Sequence, residues 1–185
     1  MSSPLGAEVM CFRTTPTSDL HHYPEYNRRM AIPTRASRPG TYFITTATYN
    51  RRRLFQVTAN ADLFLETLQH YRREGHYKLH AFVVMPDHVH LILTPQVITL
   101  ERAMGLIKGG FSHRFASKFP VWQRGFTDHR IRDADDMHSR RAYIHLNPVR
   151  ANLVTAPELY PYSSAYKQLT SAAKAAPIPA PERHG

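Results

Sequence analysis

Two histidines, one tyrosine and one asparagine are the residues of this chain whose types and spacing suit chemistry. His88-Val89-His90 stands in an apolar run, HVHLILT at 88–94. On a strand, residues i and i+2 leave the same face side by side. Two imidazoles there can hold one divalent cation while Val89 turns to the core. The same pair serves equally as two hydrogen-bonded surface histidines, because short motifs match by accident. Tyr143 and Asn147 lie four apart in RRAYIHLNPVRANLV, 140–154, which is one helical turn on one face. A phenol near a cation can attack a phosphodiester and later leave as the aryl oxide. A neutral amide oxygen suits a hard cation such as Mg²⁺ or Mn²⁺. Against this, Tyr143 can pack in a core and Asn147 can cap a segment opening at Pro148. His145, two residues along, faces away from Tyr143.

Other sites fail on spacing. There is no H-E-x-x-H helix and no C-x-x-C pair. Gly105, Gly109 and Gly110 fall inside a helical pattern rather than after a strand, so no nucleotide cofactor is expected. The single cysteine, Cys11, excludes an internal disulfide framework and a thiolate metal cluster, which agrees with a reducing cytoplasm. No apolar run approaches about 18 residues and no continuous apolar core opens the chain. A cytoplasmic protein without membrane contact is expected.

Charge points to the partner. Over 185 residues, 24 Lys+Arg stand against 14 Asp+Glu, a net charge of +10. That balance favours a polyanion, nucleic acid before any other. Arg51, Arg52 and Arg53 follow the first apolar segment. Lys108, Arg114 and Lys118 mark a helical stretch, and Arg130, Arg132, Arg140, Arg141 and Arg150 bracket the region of Tyr143. Such residues neutralise phosphates. Tyr42, Tyr49, Phe111 and Trp122 are candidates for stacking on unpaired bases, and Thr41 for a backbone contact beside Tyr42.

The elements that must position these residues alternate. TYFITTATY at 41–49 reads as a strand. Asn60 can cap a helix over 61–74, in which Leu63, Leu65, Leu68 and Tyr71 recur at helical spacing. Runs 78–85 and 88–94, joined by Met-Pro-Asp, read as a hairpin. Thr99 can cap a helix over 100–118, with Gly109-Gly110 softening its middle. Residues 121–132 read as a short strand and loop. A third helix runs from Asp133 to about Leu146, ended or kinked by Asn147-Pro148. This order implies α+β: an antiparallel sheet with helices packed on it. Pro-rich stretches at 1–39 and 167–185 read as mobile tails, and Met30 is an alternative start to Met1.

At HAFVVMPDHVHLIL together with YIHLNPVRANLV the chain resembles the REP-associated tyrosine transposases of the HUH single-tyrosine superfamily. The likeness runs over about residues 40–166. It includes GTYFITTATYNRRRLF, IKGGFSHRF, WQRGFTDHRIRDADD and PYSSA at 161–165. It implies a ferredoxin-like sheet with the nucleophile on the third helix. The implied activity is that of an endonuclease and strand transferase on single-stranded, hairpin-forming DNA from extragenic palindromic repeats. His88 and His90 become the paired ligands of Mg²⁺ or Mn²⁺, Asn147 takes the place of a polar third ligand, and Tyr143 becomes the nucleophile that forms a 5′-phosphotyrosine link. Some relatives swap the tyrosine helix between subunits; the REP-associated branch implies a monomer. The family usually has Gly where this chain has Asn152. The competing expectation is a domesticated hairpin-binding protein with little physiological cleavage.

Overall fold

The computed structural model describes residues 39–167. The tails expected over 1–39 and 167–185, apart from residues 39 and 167, lie outside them, as do Cys11 and Met30. Four strands and three α-helices make up the described residues: β1 (Tyr42–Ala47), α1 (Thr58–Arg73), β2 (Tyr77–Met85), β3 (His88–Pro95), α2 (Leu100–Phe115), β4 (Thr127–Arg130) and α3 (Ala134–Arg150). The sheet order is β2-β3-β1-β4, antiparallel throughout. A β-α-β-β-α-β chain in this order is the ferredoxin-like arrangement, with α3 added.

Parity along the strands sorts the sheet into two faces. Tyr42, Ile44, Val89, Leu91 and Leu93 pack with Phe64, Leu68, Met104, Ile107 and Phe111 of α1 and α2. Ala81, Val83, Met85 and Ile92 face the other way, onto Ile144 of α3 and Tyr160. The central strand β3 is therefore apolar on both sides, and its polar residues on the α3 face need a reason. Beyond α3 the chain returns along the open edge of β2. Val84 N–H donates to Tyr162 O, Ser164 N–H donates to Phe82 O, and Tyr160 Oη donates to Val84 O.

Local chemistry explains most boundaries. Thr99 accepts from Arg102 N–H and Asp133 from Asp136 N–H, capping α2 and α3. Helix α1 begins earlier than expected, after Val57. Asn60 sits in its first turn and donates through Nδ2 to Leu54 O instead of capping. Helix α2 stops at Phe115, three residues early, because Ala116 turns left-handed (φ 50°). Gly110 is a contact rather than a soft spot: a Cβ there would stand 2.6 Å from the Tyr71 hydroxyl of α1.

The largest local departure is at Pro148. The expected break does not occur, and α3 continues to Arg150. Proline removes one helical hydrogen bond, but Pro148 is buried beside Ile144 on the core stripe, and only two helical residues follow it. The end is then closed by two bonds, Leu153 N–H to Pro148 O and Asn152 N–H to Val149 O, which is the Schellman pattern. Asn152 occupies its left-handed position (φ 54°). Asparagine is the residue best able to stand in for glycine there, so the Asn152 departure leaves the turn intact.

Candidate active site

The hairpin places the histidine pair. His88 lies opposite Ala47 and His90 opposite Thr45 on β1, with both rings on the α3 face and Val89 buried beneath α1 and α2. The ring centres are 4.8 Å apart at 83°. Each ring is held through Nδ1. His90 Nδ1 is 2.8 Å from Thr45 Oγ1, and His88 Nδ1 is 2.6 Å from Asp87 Oδ1. Neither Nε2 makes a hydrogen bond among the described residues. Metal-binding imidazoles are commonly braced in this way at the far nitrogen. Thr45 and Asp87 were not anticipated from the sequence. Asp87 was visible as the acidic neighbour in PDHVH, whereas Thr45 follows only from strand register.

A tight loop backs the pair. Thr48 Oγ1 lies 2.6 Å from Arg52 O and 2.9 Å from Asp87 O, tying residues 48–52 to the hairpin turn. Asn50 and Arg51 both take left-handed φ values, 52° and 54°. Arg51 Nη1 reaches to 3.6 Å of Asp87 Oδ2.

His90 is 4% exposed. Burial first, then the fields of His88 and Arg51, push its pKa down to about 3. It is neutral at ordinary pH, the form a metal ligand requires. The linkage has a definite sign. The unfolded ring titrates near 6.5, so this contribution to stability is complete above about pH 6.5 and is lost as pH falls toward 3, at no more than about 1.4 kcal/mol per pH unit. Thermal melts in EDTA from pH 7 to pH 4 should fall more steeply for the wild type than for His90→Gln. Equal slopes would show that this ring does not govern acid lability.

Helix α3 brings up the phenol. Its first turn is fastened by Asp136, whose carboxylate meets His129 Nε2 at 2.7 Å on β4, Arg132 N–H at 3.2 Å and Arg140 Nε at 3.3 Å. These contacts, the His129 bond chief among them, hold the Asp136 carboxyl below the usual range. Two turns later the Tyr143 ring stands edge-on to His90, 5.3 Å between centres. Phe43 wedges the group together. It stacks on His90 at 5.5 Å and meets Tyr143 edge-on at 5.8 Å. The Arg140 guanidinium lies 5.4 Å over Phe43 and that of Arg150 lies 5.5 Å over Tyr143, within cation–π range. Tyr143 remains 38% exposed, so its hydroxyl is not sealed in a core.

Asn147 occupies the same stripe one turn beyond Tyr143. Its side chain makes no hydrogen bond among the described residues. Among those residues no three His, Cys, Asp or Glu converge on one point. A cation at the pair therefore needs a further donor of another type. Two braced imidazoles with free Nε2 atoms, and an amide one turn from the phenol, are a donor set that suits a divalent cation.

The basic candidates divide. Arg150 and Arg140 flank the phenol, Arg51 lies beside Asp87, and Arg53 and Arg132 are exposed. Arg130 is exposed too, with Nη2 donating to Pro39 O. Thr41 bonds Thr94 across the sheet at 2.7 Å between hydroxyls. Others carry hydrogen bonds within the protein. Arg52 donates to Pro120 O and Tyr49 O. Arg114 ties α2 to α1 through Thr67 Oγ1 and Glu66. Lys108 donates to Gln123 O at 3.0 Å and Gly125 O at 2.5 Å, and burial lowers its pKa to about 8. Tyr42, 5% exposed, and Phe111 are core residues. Trp122 packs on Phe55, Phe64 and Phe111 and donates Nε1 to Lys108 O. Tyr42 and Phe111 are closed to stacking, which corrects the expectation for them, while Trp122 is partly buried against the α1–α2 layer. Lys108→Met should cost about 1–3 kcal/mol in a denaturant melt, since it removes charged hydrogen bonds to two carbonyls, and should leave nucleic-acid affinity unchanged. A stable variant with weakened binding would restore Lys108 to the interface.

The chain resembles known proteins over the same region. The sequence model of the family described as "Transposase IS200 like" matches residues 39–147. A REP-associated tyrosine transposase of Escherichia coli (strain K12) is 29% identical over 132 residues, covering 70% of this chain and 79% of that protein. A solved structure of a REP-associated tyrosine transposase bound to a REP hairpin superposes with a TM-score of 0.63 at 29% identity, covering 70% of this chain and 79% of the other. No helix among the described residues is long and apolar enough to cross a membrane.

Proposed function

The chain belongs to the IS200-like transposase family, and from that premise we propose that it cleaves and rejoins single-stranded, hairpin-forming DNA of palindromic repeats through a 5′-phosphotyrosine at Tyr143. The observation that carries this reading is the 5.3 Å between the ring centres of Tyr143 and His90. A nucleophile and a ligand-type imidazole meet on one chain, which favours a monomer over an exchange of helices. The hairpin partner is suggested by the resemblance to the hairpin-bound relative.

In this reading Tyr143 Oη attacks the scissile phosphorus in line. The phenol gives up its proton to solvent, the Oη–P bond forms as the P–O3′ bond breaks, and the departing 3′-oxygen takes up a proton, so protons balance overall. The bond energy is kept in the phosphotyrosine, so a 3′-hydroxyl reverses the step without ATP. His88 and His90, with Asn147, would hold Mg²⁺ or Mn²⁺, which supplies positive charge at the phosphate where negative charge grows. Thr45 and Asp87 orient the two rings. Phe43 fixes the angle of Tyr143, Arg150 lies over the Tyr143 ring and Arg140 over Phe43, and both guanidiniums neutralise nearby phosphates. Arg51, Arg53, Arg130 and Arg132 are proposed as further backbone contacts.

The test is a labelled hairpin oligonucleotide with Mn²⁺. It should give a protein–DNA adduct that survives denaturation and maps by mass spectrometry to Tyr143. Cleavage to a free 5′-phosphate with no adduct would mean that activated water is the nucleophile. Tight binding with no cleavage would instead mark a hairpin-binding protein. A finer expectation concerns the braces. Thr45→Val and Asp87→Asn should each weaken Mn²⁺ affinity about 10–100-fold by calorimetry, and unchanged affinity in both would remove their orienting role.

A further inference from the structure

The flank of α3 opposite Tyr143 carries a basic cluster that the proposed cleavage does not use. At 3.6 residues per turn, Tyr143, Asn147 and Arg150 fall on one side of the buried Ile144–Pro148 stripe, and Arg141 and His145 fall on the other. That second flank looks onto β2. The register shift between Leu79 and Ala81 inserts one residue there. As a result Lys78, opposite Thr94, and Ala81, opposite Ile92, both serve the α3 face, and the extra residue, His80, is aimed at the same face. His80 Nε2 lies 2.8 Å from Thr94 Oγ1, which in turn lies 2.7 Å from Thr41 Oγ1. His145 Nε2 is 3.1 Å from Ser164 Oγ.

The electrostatics agree with the geometry. Burial and the positive fields of Arg141 and Lys78 lower the His80 pKa. The ion pairs among the described residues tie up Arg51, Arg114 and Arg140. Among the described residues Lys78 and Arg141 have no carboxylate partner. Like charges gathered without a counter-ion repel one another, and a bound anion relieves that repulsion. His80, Thr94 and Thr41 form a row across β2, β3 and β1, with Lys78 and Arg141 beside His80, which suits an extended polyanion better than a small ion.

We infer that Lys78, His80 and Arg141, with the hydroxyls of Thr94 and Thr41, form a second phosphate-binding surface that grips the backbone of the DNA substrate away from Tyr143. The inference rests on the hairpin-DNA reading above. The two flanks are separated by the width of one helix, about 10 Å, so a phosphate held here is a different one from that under attack.

Fluorescence anisotropy of a hairpin oligonucleotide, without metal and across a salt series, tests it. Each lost phosphate contact removes about 0.7–0.9 from the slope of log affinity against log salt. Lys78→Ala with Arg141→Ala should therefore lower the slope by about 1.4–1.8 and weaken binding about tenfold or more near 0.15 M salt. Arg141→Lys should keep most of the slope. Arg72→Ala with Arg73→Ala, the same charge loss on α1 across the sheet, should change it far less. Equal losses in the two double variants would mean only a general charge effect, and an unchanged slope in the first would leave no site on this flank. Both outcomes overturn the inference. If wild-type protein binds no hairpin at all, the hairpin reading itself falls. Circular dichroism checks that the double variant is folded; if it is not, each single alanine variant should lose about half the slope change, and no loss in either overturns the inference.

Discussion

Tyr143→Phe should abolish the covalent protein–DNA adduct, to below about 0.1% of wild type, while hairpin affinity stays within a few-fold. The change removes one oxygen and keeps the ring that packs edge-on against His90 and Phe43 and lies beneath Arg150. Packing and cation–π contacts survive, so the loss isolates the nucleophile. A thousandfold fall corresponds to about 4 kcal/mol in the barrier, more than a misplaced contact normally gives. The readout is denaturing gel electrophoresis of a labelled strand beside anisotropy of the same strand. An adduct that persists in the phenylalanine variant would move the nucleophile to another side chain.

His88→Ala should remove cleavage almost as completely, with a much smaller effect on DNA binding and on folding. The partner substitution, His90→Ala, should also remove cleavage but destabilise the protein as well. The difference follows from position. His90 is buried under Phe43 and bonded to Thr45, so its removal leaves a cavity and an unpaired hydroxyl. His88 is more open, its side chain 18% exposed, with a hydrogen bond to Asp87 and an edge-on contact with His90. Mn²⁺ calorimetry, melting temperature and single-turnover cleavage on both variants distinguish these outcomes. Full cleavage by His88→Ala would exclude it from the ligand set, and equal loss of cleavage and DNA binding would mean a folding defect instead.

How much of this was readable in advance depends on whether the information was local. The i, i+2 histidines, the hairpin around Pro86-Asp87, and the caps Thr99 and Asp133 are local patterns, and the strands and helices follow them. The face that each aromatic takes is not local. Tyr42 and Phe43 are neighbours of similar character, yet strand parity sends the first to the α1–α2 core and the second to the candidate site. Lys108 and Arg114 read as phosphate ligands because their partners, the carbonyls of 123 and 125 and the Glu66–Thr67 pair, are remote in sequence. Thr45 was invisible for the same reason: only the pairing of β1 with β3 brings it to His90. Pro148 misled differently, since a penalty of about 3 kcal/mol in a helix interior matters less in a final turn whose proline is buried and which is closed by Asn152.

The fastening of α3 to the sheet, by Asp136 to His129 of β4 and by Ile144 in the core against β2, has a bearing on any joining reaction. A lever so pinned has little freedom to carry its cargo from one place to another. In the proposed reaction, between the breaking of one strand and the sealing of the next, it would be the nucleic acid that travels, each free end arriving in turn at a stationary anvil.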